Sequence, residues 1–234
     1  MILLHGTNSW AREMLPLAES MRPYESKFLM PNLPGHGGRE LPERFTIADF
    51  AKDVVAYMDS QGVERDFIAG MSTGGYIALY LARHYPERVE GIVTIATKWV
   101  YDEESVKYVT WLVSVERLGQ PGHPRIPQFN LNHHPNDWRE ITRRNGDLFR
   151  ALGAAPEVTE EDIRSIRVPV LAISGDQDPI VPVKETQALR ALNPRVDVLI
   201  VKGSSHPITQ LPLDIVAQQI AAWMAKARRE PAKA

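Results

Sequence analysis

The chain has 234 residues, 44% of them hydrophobic and 24% charged, with a formal net charge of −2. That length and apolar content suit one domain with a sizeable core, and the balanced charge excludes the basic surface of a nucleic-acid binder. The absence of cysteine excludes a disulfide framework, a thiolate metal site and a cysteine nucleophile.

The first apolar run, Ile2-Leu3-Leu4, reads as a short buried strand. The stretch from Met1 to Gly6 is too short and lacks the basic start of a secretion signal. No later stretch approaches the length of a membrane span. A cytoplasmic protein with no membrane partner is expected. Ala11 to Met21 places Met14, Leu15, Leu17, Ala18 and Met21 on one helical stripe. Lys27 to Met30 reads as the next strand. Thr46, with Asp49 three residues on, can cap a helix running through Phe50, Val54, Tyr57 and Met58. Asp66 to Ala69 is strand-like, Tyr76 to His84 helical, and Val89 to Ile95 a strand again.

After Lys98 the alternation stops. Glu103 to Leu118 and Asn136 to Leu152 have helical character, joined by a stretch rich in Pro, Gly, His and Asn. Residues 98–167 are therefore expected to form an inserted helical cap, with 1–97 and 168–234 forming the core. Val168 to Ser174 and Val196 to Val201 supply the last strands, Val183 to Leu192 and Leu213 to Ala227 the last helices. Most strand runs are apolar almost throughout, as strands buried on both faces are. Together they specify an α/β fold, a doubly wound and mainly parallel sheet flanked by helices.

Gly70-Met71-Ser72-Thr73-Gly74 fits G-x-S-x-G between a strand and a helix. There a sharp turn lifts a serine oxygen above the sheet, and Ser72 is the candidate nucleophile. A serine hydroxyl needs a base, and His206 follows the last strand. In a parallel sheet the loops at the carboxyl ends of the strands meet, so both residues belong to one end of the molecule. A carboxylate from a third such loop would fix the imidazole. Asp178 and Asp176 compete for that role, with Asp178 favoured because Asp176 can close the turn, and Asp102 is a more distant choice. The order Ser, Asp, His is the one this architecture uses. The oxyanion needs two N–H donors, expected from the backbone of Thr73 and of Thr7.

Taken together, these segments resemble the α/β-hydrolase superfamily in its compact capped-esterase form, over nearly the whole chain. Leu3-Leu4-His5-Gly6 resembles its oxyanion strand and loop. Asn32-Leu33-Pro34-Gly35-His36-Gly37 resembles its D-x-P-G-H-G turn, with Asn32 where Asp is usual. Gly70 to Gly75 resembles its elbow, Gly175 to Pro182 its G-x-x-D acid loop, which selects Asp178, and His206 its final histidine. The resemblance implies the α/β-hydrolase fold, hydrolysis through an acyl-enzyme and no cofactor. It gives His36 a structural place only. Three departures stand out. The family has two strands before the His-Gly strand, whereas Met1 lies almost at its start, so the sheet is shortened or the start truncated, and the open edge is expected to be covered or paired. Met71 stands where His is common. Ser at the elbow, in place of Asp, argues against a haloalkane dehalogenase or epoxide hydrolase.

The cap carries Trp99, Tyr101, Tyr108, Trp111, Leu112, Phe129, Trp138 and Phe149, which either line an apolar acyl pocket or pack the cap onto the core. His123, His133 and His134 lack the spacing of a helical zinc motif, so no metal is expected. Arg125, Arg143 and Arg144 read as solvated charges. The expected partner is a small-molecule ester-like substrate. The expected reaction is cleavage of a small or medium carboxylic ester, with thioesterase, amidase, carbon–carbon hydrolase, perhydrolase and non-catalytic receptor as alternatives. Monomer and homodimer are both compatible with the sequence.

Overall fold

The computed structural model describes residues 1–229. Five strands, β1 (Ile2–Leu4), β2 (Asp66–Met71), β3 (Val89–Ile95), β4 (Val170–Gly175) and β5 (Val196–Val201), form one sheet in that spatial order, every neighbouring pair parallel. Ten α-helices accompany them among the described residues. Before the cap lie α1 (Leu15–Met21), α2 (Ile47–Ser60) and α3 (Thr73–His84). Between β3 and β4 lie α4 (Glu103–Leu112), α5 (Val115–Leu118), α6 (Ile126–His133), α7 (Trp138–Ala154) and α8 (Glu160–Ser165). The last two are α9 (Val183–Leu192) and α10 (Leu213–Arg229).

The strands are apolar on both sides because both faces are covered. Ile2, Leu4, Ile68, Ile92, Val170, Ala172 and Val196 face a core shared with α2, α3 and α9. Leu3, Phe67, Ala69, Val93, Ile95, Leu171, Ile173 and Val201 face the opposite core, closed by α1 and α10. Successive residues thus alternate between two cores, as side chains of a pleated strand must. The two-sided covering is the doubly wound α/β arrangement.

One expected strand is nearly absent. Of Lys27 to Met30 only Leu29 pairs, in a single parallel bridge to Ile2. Its N–H donates to Met1 O at 3.0 Å and its carbonyl accepts from Leu3 N–H at 2.8 Å. β1 is three residues long and Pro31 follows Met30, so no further ladder can form. This bridge still covers part of the sheet edge beside β1. The Met1 ammonium is tied there too, to Lys27 O at 2.9 Å and Asp66 Oδ2 at 2.8 Å.

The expected helix from Ala11 begins as a 3₁₀ turn, Ala11–Met14, and becomes α-helical at Leu15. Thr46 caps α2, its hydroxyl oxygen accepting from Asp49 N–H at 3.1 Å. The segment Glu103 to Leu118 is two helices, because Ser114 interrupts the run and caps α5 by accepting from Arg117 N–H at 3.1 Å. Two helices stand where no helix was read. α6 starts with Pro127 in its first turn. α8 opens with a reciprocal capping pair, Thr159 and Asp162. α4 packs on α7, and α6 on α7, whereas α8 packs back onto α3 and α9. No helix among the described residues is long and apolar enough to cross a membrane.

Candidate active site

Ser72 sits between β2 and α3 at φ 52°, ψ −116°, a left-handed conformation that few non-glycine residues adopt. The neighbouring glycines allow it. A Cβ on Gly70 would fall on the backbone of Gly74, and one on Gly74 would fall on the Leu4 carbonyl. β1, β2 and α3 therefore meet closely enough to hold Ser72 above the carboxyl end of the sheet. Its N–H donates to Ile95 O at 2.8 Å.

His206 lies beyond β5 and Asp178 beyond β4. The Nδ1–H of His206 donates to Asp178 Oδ2 at 2.8 Å. The Asp178 side chain is fully buried, and its other oxygen accepts from the N–H groups of Ile180 (2.8 Å) and Val181 (3.0 Å). The carboxylate is thereby clamped in one orientation and holds the His206 ring by Nδ1, which leaves Nε2 free of that bond. The other carboxylates are engaged elsewhere. Asp176 joins the two loops by accepting from Gly203 N–H at 2.6 Å. Asp102 caps α4, accepting from Ser105 N–H at 2.8 Å, and that bond holds its carboxyl below the usual range.

Ser72, His206 and Thr7 border one cavity of about 380 Å³. The Thr7 and Thr73 hydroxyls hydrogen-bond to each other, which ties the loop after β1 to the residue after Ser72. Neither backbone N–H has an acceptor among the described residues. The cap closes the cavity with Tyr101, Leu112, Phe129 and Phe149. The other cap aromatics do different work. Trp99 is buried in the main core, Trp138 packs with Leu118 and Phe129, and Tyr108 and Trp111 are exposed.

Several features of the site were not read from the sequence. Glu13 borders the cavity and accepts from Gly6 N–H at 2.7 Å, and burial pushes its carboxyl upward. Lys98, also at the cavity, is paired at 2.8 Å with the buried Glu185, whose second oxygen accepts from the N–H groups of Trp99 (2.7 Å) and Val100 (2.9 Å). This carboxylate fixes the chain where it leaves β3 for the cap. Asn32 uses both halves of its amide, accepting from Ala11 N–H at 2.7 Å and donating to Gly37 O at 3.3 Å. An aspartate could make only the first bond.

Three neutral histidines join cap to core. His5 donates from Nδ1 to Gly6 O (2.8 Å) and accepts at Nε2 from Leu33 N–H (3.0 Å). His36 is buried beside it, and His133 on α6 accepts from Gly37 N–H and donates to Asn8 O, both at 3.4 Å. Burial lowers the pKa of all three, that of His5 to about 4. His133 is thus a bonded core residue, whereas Arg143 and Arg144 pair with Glu140.

A family model described as "Alpha/beta hydrolase family" matches residues 1–219. RutD of Caulobacter sp. (strain K31), named for carbamate hydrolysis, is 27% identical over 193 residues, covering 75% of this chain and 71% of that protein. The pimeloyl-[acyl-carrier protein] methyl ester esterase of Hamiltonella defensa is 25% identical, covering 88% of this chain and 85% of the esterase. Among solved structures, Lip1 of Acinetobacter baumannii AYE, described as a lipase, superposes with a TM-score of 0.83 at 21% identity, covering 98% of this chain and 84% of its own. A thermophilic esterase from Thermogutta terrifontis gives 0.72 at 23%, covering 97% and 89%.

Proposed function

Given that this chain belongs to the alpha/beta hydrolase family, we propose that it is a serine esterase that cleaves a small or medium carboxylic ester through an acyl-enzyme. The observation that carries this reading is the strained Ser72 bordering the same cavity as His206, whose far nitrogen is bonded to the buried Asp178. Ser72 Oγ attacks the ester carbonyl while His206 Nε2 takes its proton. Asp178 holds the imidazole with Nδ1 protonated and stabilises the imidazolium that forms. The tetrahedral oxyanion is received by the N–H groups of Thr7 and Thr73, each such donor typically worth about 3 kcal/mol of barrier. His206 returns the proton to the leaving alcohol, and water then cleaves the acyl-enzyme by the reverse sequence of proton transfers.

A second reading, cleavage of a carbon–nitrogen bond, is favoured by the carbamate-hydrolase name of the RutD relative. The same groups would serve it, since only the leaving atom changes. The test is turnover of a p-nitrophenyl ester chain-length series, with the matching p-nitroanilides beside it, by wild type and Ser72→Ala. Ester turnover that disappears in Ser72→Ala supports the esterase. Equal turnover by both proteins removes Ser72 from the role of nucleophile, and turnover of the anilides alone moves the assignment to the second reading.

A further inference from the structure

Resting on the esterase reading, we propose that the substrate is a half-ester of an aliphatic dicarboxylic acid, its free carboxylate held by Arg117 and Arg125. Between β3 and β4, Arg139, Arg143, Arg144, Arg150 and Arg164 each have a carboxylate within 4 Å. Arg117 and Arg125 both border the catalytic cavity. Neither has a carboxylate partner among the described residues.

Each guanidinium lies over an aromatic ring, Arg117 being half-buried and Arg125 exposed. Arg117 lies 5.0 Å from the centre of the Trp111 ring, and its Nη1 donates to Leu112 O at 2.8 Å. Arg125 lies 5.0 Å from the centre of the Phe129 ring. Stacking fixes the plane of a guanidinium and leaves its N–H edge for a planar two-oxygen anion. The remaining charges at the cavity are spoken for. Lys98 is paired with Glu185. Glu13 takes the Gly6 N–H; burial pushes its carboxyl upward, while that bond, a hydrogen bond from Ser9 and the charges of Arg125 and His206 act the other way. Among the described residues, Arg117 and Arg125 are thus the lysine and arginine side chains of the cavity that form no ion pair.

The cavity that Ser72 and these arginines share is also lined by Val109, Leu112, Leu118 and Phe149. A volume of about 380 Å³ accommodates a short methylene chain. A half-ester bound in it would present its ester carbonyl to Ser72 and its carboxylate to the arginines. A fully neutral ester leaves both guanidiniums facing the cavity without an anion.

Binding can be measured apart from turnover. Calorimetry of Ser72→Ala with monomethyl adipate and with methyl hexanoate compares two ligands of similar length that differ in the terminal charge. The adipate is expected to bind at least tenfold more tightly. The gap should shrink about tenfold in Arg117→Gln/Arg125→Gln, fall between in Arg125→Lys, which keeps the charge but not the fork, and stay unchanged in Arg164→Gln, remote on α8. No difference between the ligands, including no binding of either, or a gap indifferent to the double substitution, overturns the inference. Turnover of p-nitrophenyl hexanoate by the wild type separates the two claims. If it occurs and depends on Ser72 while the adipate preference is missing, the esterase reading stands and the carboxylate site falls.

Discussion

Replacing Asp178 by Asn tests the inner part of the site, because it keeps the shape and changes only the direction of one proton. Oδ1 of Asp178 accepts two backbone N–H groups, from Ile180 and Val181, while Oδ2 accepts from His206. The asparagine oxygen must stay with the two backbone donors, since turning the amide over would set its NH₂ against both. Two backbone hydrogen bonds at about 1 kcal/mol each make that reversal cost about 2 kcal/mol, a bias of about 30-fold. The NH₂ then faces His206 Nδ1, which has to accept, and the ring proton moves to Nε2. An imidazole in that state cannot take the Ser72 proton. Loss of the carboxylate charge beside the imidazolium adds to the bias. The expected fall in kcat is about 10³- to 10⁴-fold, in line with the same substitution in a serine-protease triad. Stopped-time p-nitrophenyl ester hydrolysis measures it, with a thermal melt to show that the variant is folded. Asp176→Asn, which alters only the bond to Gly203 N–H, should change kcat less than about threefold, as surface substitutions of this kind usually do. A fall of less than tenfold for Asp178→Asn in a folded protein, or a larger effect at Asp176, would refute the assignment of the acid.

Three further outcomes follow from packing and charge. Gly74→Ala drives a Cβ into the Leu4 carbonyl, and overpacking of about 2–3 kcal/mol should lower Tm by roughly 5–10 °C; an unchanged melt would mean that the elbow is looser than described. Glu185→Ala leaves Lys98 buried without its partner and two N–H groups without an acceptor. Breaking a buried pair from one side costs about 3–5 kcal/mol, measurable by urea denaturation, and a loss below 1 kcal/mol would contradict it. His5, His36 and His133 fold as neutral side chains with pKa values below the usual 6.5. The unfolded chain therefore binds more protons below pH 6.5, and stability falls as pH is lowered from there toward the folded values. His5 alone, at about 4 in the fold, accounts for about 3 kcal/mol across that window, and a denaturation midpoint constant between pH 7 and pH 4.5 would rule this out.

The strands were legible because burial on two faces writes an unbroken apolar run, as in Val89 to Ile95 and Val196 to Val201. Lys27 to Met30 carries a similar signal, yet how far it pairs depends on the three-residue length of β1 and on Pro31, which no local pattern encodes. α6 escaped notice because Pro127, Asn130 and Asn132 are poor helix formers and its support comes from packing on α7. α8 did have a sequence signal, Thr159 and Asp162 at capping-box spacing. At the site, Ser72, Asp178 and His206 could be placed because each follows a strand at one end of a parallel sheet. Glu13, Lys98 with Glu185, and the histidine cluster could not, since each meets partners far away in the chain, such as Lys98 and Glu185 across 87 positions.

The most direct test of the account is covalent. Incubation with a fluorophosphonate, followed by proteolysis and mass spectrometry, should find a single adduct on the peptide carrying Ser72. Labelling should vanish in Ser72→Ala and slow at least a hundredfold in His206→Ala, because His206 is assigned the proton of Ser72. An adduct elsewhere, or undiminished labelling of Ser72→Ala, would show that Ser72 is not the nucleophile.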